Sequence, residues 1–362
     1  MISDQRTIVL IAGARPNFMK LAPVYAQLRA RPGTRCLVVH TGQHYDESMS
    51  SAIFRDLELP DPDVHLGVGS GPASLQTARI LSELDPLLRR ESPGAVLVFG
   101  DVTSTLAGAL AASNLQVPVA HVEAGLRSFD WTMPEERNRV VVDHLSQWRF
   151  VTEPSGVKNL AREDIRDGVH LVGNVMIDSL TRVIEKARAR RVAEVVGVKE
   201  PFAVLTLHRP GNVDDDARLA EVARVISAVA EFLPIVFPVH PRTRPALAKI
   251  SMPSNCVLTD PLGYLDFLGL VSQSAVVLTD SGGIQEETTA LGIPCLTLRP
   301  NTERPITIEV GTNEMVDLDC DRIRACTASV LEGKFKKGRA PELWDGRASE
   351  RIAEILLRDL DA

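Results

Sequence analysis

The sequence predicts an α/β protein built from two doubly wound parallel sheets, and three observations lead there. Short apolar runs without polar alternation recur along the chain, the mark of strands covered on both faces. Helix-like segments alternate with these runs, and the alternation is written twice. With 362 residues and about 150 per domain, two domains are expected.

In the first half the apolar runs fall at residues 8–12, 36–40, 95–99, 117–122, 149–152 and 169–172, separated by helix-like segments such as 18–30 and 105–113. In the second half they fall at 202–207, 235–239, 256–258, 275–278, 295–298 and 314–318. The expected domains are therefore 1–173 and 174–345, hinged near Val172-Gly173-Asn174. Residues 346–362 form a last helix, whose stripe of Ile352, Ile355, Leu356 and Leu360 must be buried, and it is expected to pack back on the N-terminal domain. Ligands of such sheets bind beyond the carboxyl ends of the strands. Gly13, Asp101, Glu123, His208, His240 and Asp280 all stand at or just after the close of an apolar run.

Composition narrows the function. A hydrophobic content of 44% supplies two ordinary cores, and a net charge of −7 argues against a nucleic-acid binder. No apolar stretch approaches the roughly 18 to 20 residues of a membrane span. Residues 1–5 carry no signal pattern, so a cytoplasmic enzyme is expected. The five cysteines are scattered, lack CxxC pairs and read as small core residues. Gly67-Val68-Gly69-Ser70-Gly71 is followed by Pro72 where a dinucleotide loop needs its third glycine, so NAD is not implied. His121-Val122-Glu123 lacks the PCxxC partner of zinc deaminases. Neither a cofactor nor a metal site is expected.

Residues 275–293 have the outline of a phosphate cradle: an apolar strand, the turn Asp280-Ser281-Gly282-Gly283, then a helix. Glycine lets a backbone approach a ligand closely, and a helix N-terminus carries roughly half a positive charge. Ser281, Gly282 and Gly283 could thus hold a diphosphate by their amides. Glu287, one helical turn on, suits sugar hydroxyls better than an anion. The plain alternative is a tight turn with a capping serine.

The first half holds most of the chemistry. Arg15 and Lys20 open the helix after Gly13-Ala14, where either alone could be a surface cation. Asp101 follows one apolar run, with helix capping as its structural alternative. Glu123 follows the next, with a buried ion pair to Arg127 or Arg139 as the alternative. Pro134-Glu135-Glu136 places two acids at a helix start, where the helix dipole explains one of them without any function.

Taken together, these residues resemble the non-hydrolysing UDP-N-acetylglucosamine 2-epimerase family. The resemblance runs nearly end to end, through Gly13-Ala14-Arg15-Pro16 with Lys20, Thr41-Gly42-Gln43-His44, Gly100-Asp101 and His121-Val122-Glu123-Ala124-Gly125-Leu126-Arg127. It continues through Pro134-Glu135-Glu136 with Asn138-Arg139, His208-Arg209, Pro238-Val239-His240, the turn from Asp280 to Glu287, and Thr302-Glu303-Arg304-Pro305.

The resemblance implies a GT-B architecture with an interdomain active-site cleft, and an isomerase that inverts C2 of the sugar without NAD. UDP is eliminated across C1–C2 to give a glycal, then re-added after protonation from the other face. Asp101, Glu123 and Glu135 match the catalytic carboxylates, joined by His208. Arg15, Lys20, Arg139, His240, Ser281, Gly282, Gly283, Glu287 and Arg304 match substrate-binding positions, and Phe267 is placed by the uracil. Gln43 and His44 match a regulatory UDP-sugar loop, although Asp46 replaces a glutamine there. Asn17 and Pro210-Gly211-Asn212 depart from the acidic residues common at these places. A UDP-sugar partner and a homodimer are expected, with no nucleic acid and no membrane. The alternatives are a 2-epimerase of a diacetamido-uronate UDP-sugar, a hydrolysing 2-epimerase, and a GT-B glycosyltransferase.

Overall fold

The structure, a computed structural model, describes residues 6–43, 53–241 and 243–362. The chain divides into two compact units, Met1–Thr181 with Glu342–Ala362, and Arg182–Pro341. The division falls inside helix Val175–Arg188, later than the expected hinge at 172–174, and the chain rejoins the first unit at Glu342 rather than at 346.

The first unit carries seven strands: β1 (Arg6–Ala12), β2 (Thr34–His40), β3 (Val64–His65), β4 (Ala95–Phe99), β5 (Val119–Ala124), β6 (Trp148–Val151) and β7 (Val169–Leu171). They lie in the order β3-β2-β1-β4-β5-β6-β7, every neighbour parallel. β4 has no exposed residue, as an apolar run in mid-sheet requires. Val9, Ile11, Val96 and Val98 pack with Ile80, Leu84 and Leu88 of helix Ala73–Glu91. The closing helix Ala348–Asp361 buries Ile352 and Leu356 and contacts helix Arg15–Arg29. Asp178 accepts bonds from the Ala348 and Ser349 amides at 3.1 and 2.7 Å, satisfying donors that a helix start otherwise leaves open.

The second unit has six strands: β8 (Ala203–Thr206), β9 (Ile235–Pro238), β10 (Cys256–Thr259), β11 (Val276–Thr279), β12 (Cys295–Thr297) and β13 (Asn313–Met315). Their order is β10-β9-β8-β11-β12-β13, again all parallel. Successive strand residues feed two apolar clusters. Leu205, Phe237 and Leu278 belong to one, and Val204, Val236 and Val277 to the other, so both faces are covered.

Each sheet reverses its strand order once, between β1 and β4 and between β8 and β11. At such a switch point the connections leave in opposite directions and open a crevice beyond the strand ends. Of the cysteines, all of them free, Cys295 is buried, where burial pushes its thiol up to about 12, and the other four are half-buried, with Cys256, Cys320 and Cys326 packed against the second unit's core. Among the described residues no helix is long and apolar enough to cross a membrane, and no cluster of His, Cys, Asp and Glu could hold a metal ion.

Candidate active site

In the first unit the acidic residues gather where the sheet reverses. β1 runs into Gly13, which has no room for a Cβ: one would sit 2.0 Å from Ser104 Oγ and 2.2 Å from Thr41 Oγ1. Asn17 staples this turn. Its Oδ1 accepts the Gly13 and Ala14 amides at 3.4 and 3.1 Å, and its Nδ2 donates to Phe99 O at 2.7 Å. A carboxylate could not make that last bond. Arg15, half-buried, is the first residue of the following helix.

β4 runs into Gly100, whose left-handed backbone (φ +67°) brings its Cα against two side chains. A Cβ there would lie 3.0 Å from Lys20 Nζ and 3.1 Å from Glu123 Oε2. Those two groups form a buried ion pair. The structural alternative for Glu123 is therefore realised with a different partner than Arg127 or Arg139. Glu123 is also the extra residue of a bulge. Val122 pairs with Phe150 and Ala124 with Val151, leaving Glu123 at φ +77°. A left-handed non-glycine residue costs on the order of 1–3 kcal/mol, and bulges re-aim side chains next to functional sites.

Asp101 does not cap the helix Thr103–Asn114. The N-cap position is Val102, and Gln43 Oε1 accepts the Ser104 amide at 3.1 Å and Ser104 Oγ at 2.7 Å. Gln43 is thus a structural acceptor for this helix, while His44 and Asp46 lie outside the described residues. Asp101 instead pairs with Arg139, which also reaches Glu136 at 2.7 Å. Glu136 is buried and accepts the Ser128 and Phe129 amides at 2.9 and 2.8 Å. Of the two acids opening helix Pro134–Leu145 it is Glu136 that builds structure, and Glu135 that is exposed.

The second unit repeats the arrangement at its own switch point. Asp280, fully buried after β11, faces the start of the loop after β8. It lies 2.9 Å from His208 Nδ1 and accepts the His208 and Arg209 amides at 3.1 and 3.0 Å, and Asn212 Nδ2 at 3.2 Å. With Nδ1–H donating to Asp280, the half-exposed His208 ring keeps Nε2 for other work. His240 is exposed, its ring 6.0 Å from that of His208.

Ser281 holds the N-cap position of helix Gly282–Leu291, but its hydroxyl makes no capping bond, and its amide donates to Thr279 Oγ1 at 3.0 Å. The unpartnered amides of this turn therefore start at Gly282 and Gly283, in the first turn where a helix has no intrahelical acceptors. Arg304 lies directly over Gly282, where an added Cβ would sit 2.4 Å from its Nη1. Glu286 and Glu303 hold that guanidinium at 2.7 and 3.5 Å. Glu303 also grips Arg299 at 2.7 and 2.9 Å. Glu287 is buried in the same helix. Phe267 is 8% exposed and packs among Phe202, Val204, Leu270 and Val277, so its side chain is a core element of this unit. Sequence reading passed over Asp143, Glu286, Arg299 and the anchoring roles of Asp280 and Glu303; only their pairing in space distinguishes them from ordinary charges.

Burial raises the carboxyls of Asp143, Asp280 and Glu303, but their partners outweigh it. His121 and Arg127 hold Asp143 below the ordinary range, His208 and neighbouring amides hold Asp280, and Arg299 with Arg304 holds Glu303. A carboxylate depressed in the folded state adds stability that is complete above its unfolded pKa, about 4, and lost as pH falls toward its folded value. Asp178, raised by burial, works in the opposite sense. The three lowered carboxyls outweigh Asp178, so the melting temperature should drop steeply below about pH 4. Calorimetry finding equal values at pH 7 and 3.5 would contradict these pairings.

Two doubly wound sheets with charged groups at both switch points place the protein in the GT-B-like α/β class. A spinosyn rhamnosyltransferase shares the fold alone, with 16% identity and a TM-score of 0.52. Residues 26–357 match the family described as UDP-N-acetylglucosamine 2-epimerase. An enzyme of that name from Methanocaldococcus jannaschii is 39% identical over 96% of this chain and 98% of its own. The same organism's UDP-GlcNAc 2-epimerase, solved with UDP-GlcNAc and UDP, superposes with a TM-score of 0.88 at 39% identity, covering 97% of this chain and 99% of that one. A Pseudomonas aeruginosa UDP-2,3-diacetamido-2,3-dideoxy-D-glucuronate 2-epimerase is 38% identical over 97% of this chain and 99% of its own. The chain belongs to the UDP-N-acetylglucosamine 2-epimerase family.

Proposed function

We propose that this protein is an isomerase that interconverts UDP-GlcNAc and UDP-ManNAc without net hydrolysis. The observation that supports it best is the set of acids at the first switch point, Asp101 after β4 and the re-aimed Glu123 in β5, in a chain of this family. A diphosphate cradle alone would serve a glycosyltransferase equally well.

The C2 proton of UDP-GlcNAc is not next to a carbonyl, so direct removal is difficult. Elimination solves this. A carboxylate takes the C2 proton, the C–H pair becomes the C1=C2 bond, and UDP leaves with the C1–O pair. Protonation at C2 from the opposite face then makes C1 cationic, and a UDP oxygen restores the glycosidic bond. Asp101, Glu123 and Glu135 would supply base, acid and stabilisation of positive charge at C1. Arg304 with the Gly282 and Gly283 amides would hold the departing diphosphate. Arg15 would add charge, and His208 Nε2 would contact the phosphate or the sugar. The reading extends to a cytoplasmic homodimer.

NMR of UDP-GlcNAc incubated with the protein in D2O tests it. Deuterium should appear at C2 in both epimers, with UDP-ManNAc as product and little free UDP. Stoichiometric UDP with free sugar would mean a hydrolysing enzyme. Unlabelled C2, with UDP released only on adding an acceptor, would mean a glycosyltransferase. The Pseudomonas enzyme is as similar as the Methanocaldococcus one, so the diacetamido-uronate substrate belongs in a parallel tube; exchange there and none with UDP-GlcNAc would reassign the sugar.

A further inference from the structure

His121 and Asp143 are both wholly buried, and neither has a place in the proposed chemistry. His121 Nδ1 lies 2.7 Å from Asp143 Oδ1 and its Nε2 lies 2.8 Å from the Gly100 carbonyl oxygen. Both neighbours are acceptors. A neutral imidazole has one N–H and would leave a lone pair facing an oxygen, with no water to relieve it. Only a doubly protonated ring satisfies both contacts.

The surroundings fit that charge. Asp143 Oδ2 accepts the Gly125 amide at 3.1 Å and pairs with Arg127 Nη1 at 2.7 Å, and Arg127 pairs with Glu163 at 2.7 Å. Arg149 donates to the Asp143 carbonyl at 2.6 Å.

The positions this pair grips give it meaning. Gly100 immediately precedes Asp101, and its amide is held as well, donating to Val122 O at 3.0 Å. Gly125 stands two residues beyond Glu123. Its carbonyl accepts Asn159 Nδ2 at 3.0 Å, and its Cα packs so closely on Gly156 that a Cβ would lie 2.6 Å from Gly156 O. The chain is therefore fixed just before one acid and just after the other. We propose that His121, clamped between Asp143 and the Gly100 carbonyl with both ring nitrogens donating, is a positioning residue that sets the spacing of Asp101 and Glu123. This rests on the carboxylate reading for its kinetic consequence, but not for the charge state.

Side-chain 15N NMR of the labelled full-length protein, with His121 assigned through bonds, tests the charge without any variant. Both ring nitrogens should give the protonated signature; a ring with one bare nitrogen overturns the proposal. His121→Gln and Asp143→Asn should lower kcat by about 10- to 100-fold, the scale of small misplacements in an active site, with KM and UDP affinity within about twofold. A folded His121→Gln or Asp143→Asn enzyme with unchanged kcat also overturns it. If Asp101→Asn proves active while His121 stays doubly protonated, the carboxylate assignment has failed and the ionic clamp has not.

Discussion

Asp101→Asn, Glu123→Gln and Glu135→Gln should each lower turnover by about 100-fold or more, the usual scale for a positioned acid or base, while UDP affinity stays within about twofold. The three will differ in stability, because their surroundings differ. Glu135 is exposed, so its variant should melt with the wild type. Glu123 is buried against Lys20, and removing one partner of such a pair costs about 3–5 kcal/mol. Pairing Glu123→Gln with Lys20→Met removes the uncompensated charge and should recover most of that stability without recovering activity. Recovered activity in the double variant would make Glu123 a structural acid. Near wild-type turnover in any single variant would remove that residue from the chemistry.

The strands were legible because the sheets are parallel and covered on both faces. Runs such as 95–99 and 235–239 have no polar residue to blur their ends, and they became β4 and β9 with at most one residue of difference. β3, two residues long and at the edge, has no such run and left no signal. The carboxylates were visible as polar residues closing apolar runs. Their partners were not: Lys20 and Glu123 are 103 residues apart, and Asp101 and Arg139 are 38 apart. Nothing in local pattern couples such pairs, so Lys20 was not weighed as the partner of Glu123. The same limit hid Gln43. Its Oε1 accepts the Ser104 amide, 61 residues on, and no local pattern joins the two.

Gly282→Ala should weaken UDP binding by about 10- to 100-fold, or about 1.4 to 2.7 kcal/mol, and lower the melting temperature. Gly282 is the first residue of a helix, and alanine's helix propensity, at most about 1 kcal/mol better, only partly offsets drawing Arg304 away from buried Glu286 and Glu303. What its methyl group meets is the end of a flexible side chain, Arg304 Nη1 at 2.4 Å and Cζ at 2.9 Å. The fold can move that guanidinium aside, but then Arg304 no longer lies over the turn whose amides would receive the diphosphate. Arg304→Lys separates the two parts of the effect. Lysine keeps the charge but cannot satisfy Glu286 and Glu303 together while presenting a planar fork. A loss in the lysine variant equal to that in Gly282→Ala would assign the effect to guanidinium placement, and a larger loss in Gly282→Ala to the amide approach itself. If calorimetry finds UDP affinity unchanged in a well-folded Gly282→Ala protein, this turn does not hold the diphosphate, and Ser281-Gly282-Gly283 is no more than a tight connection between β11 and its helix.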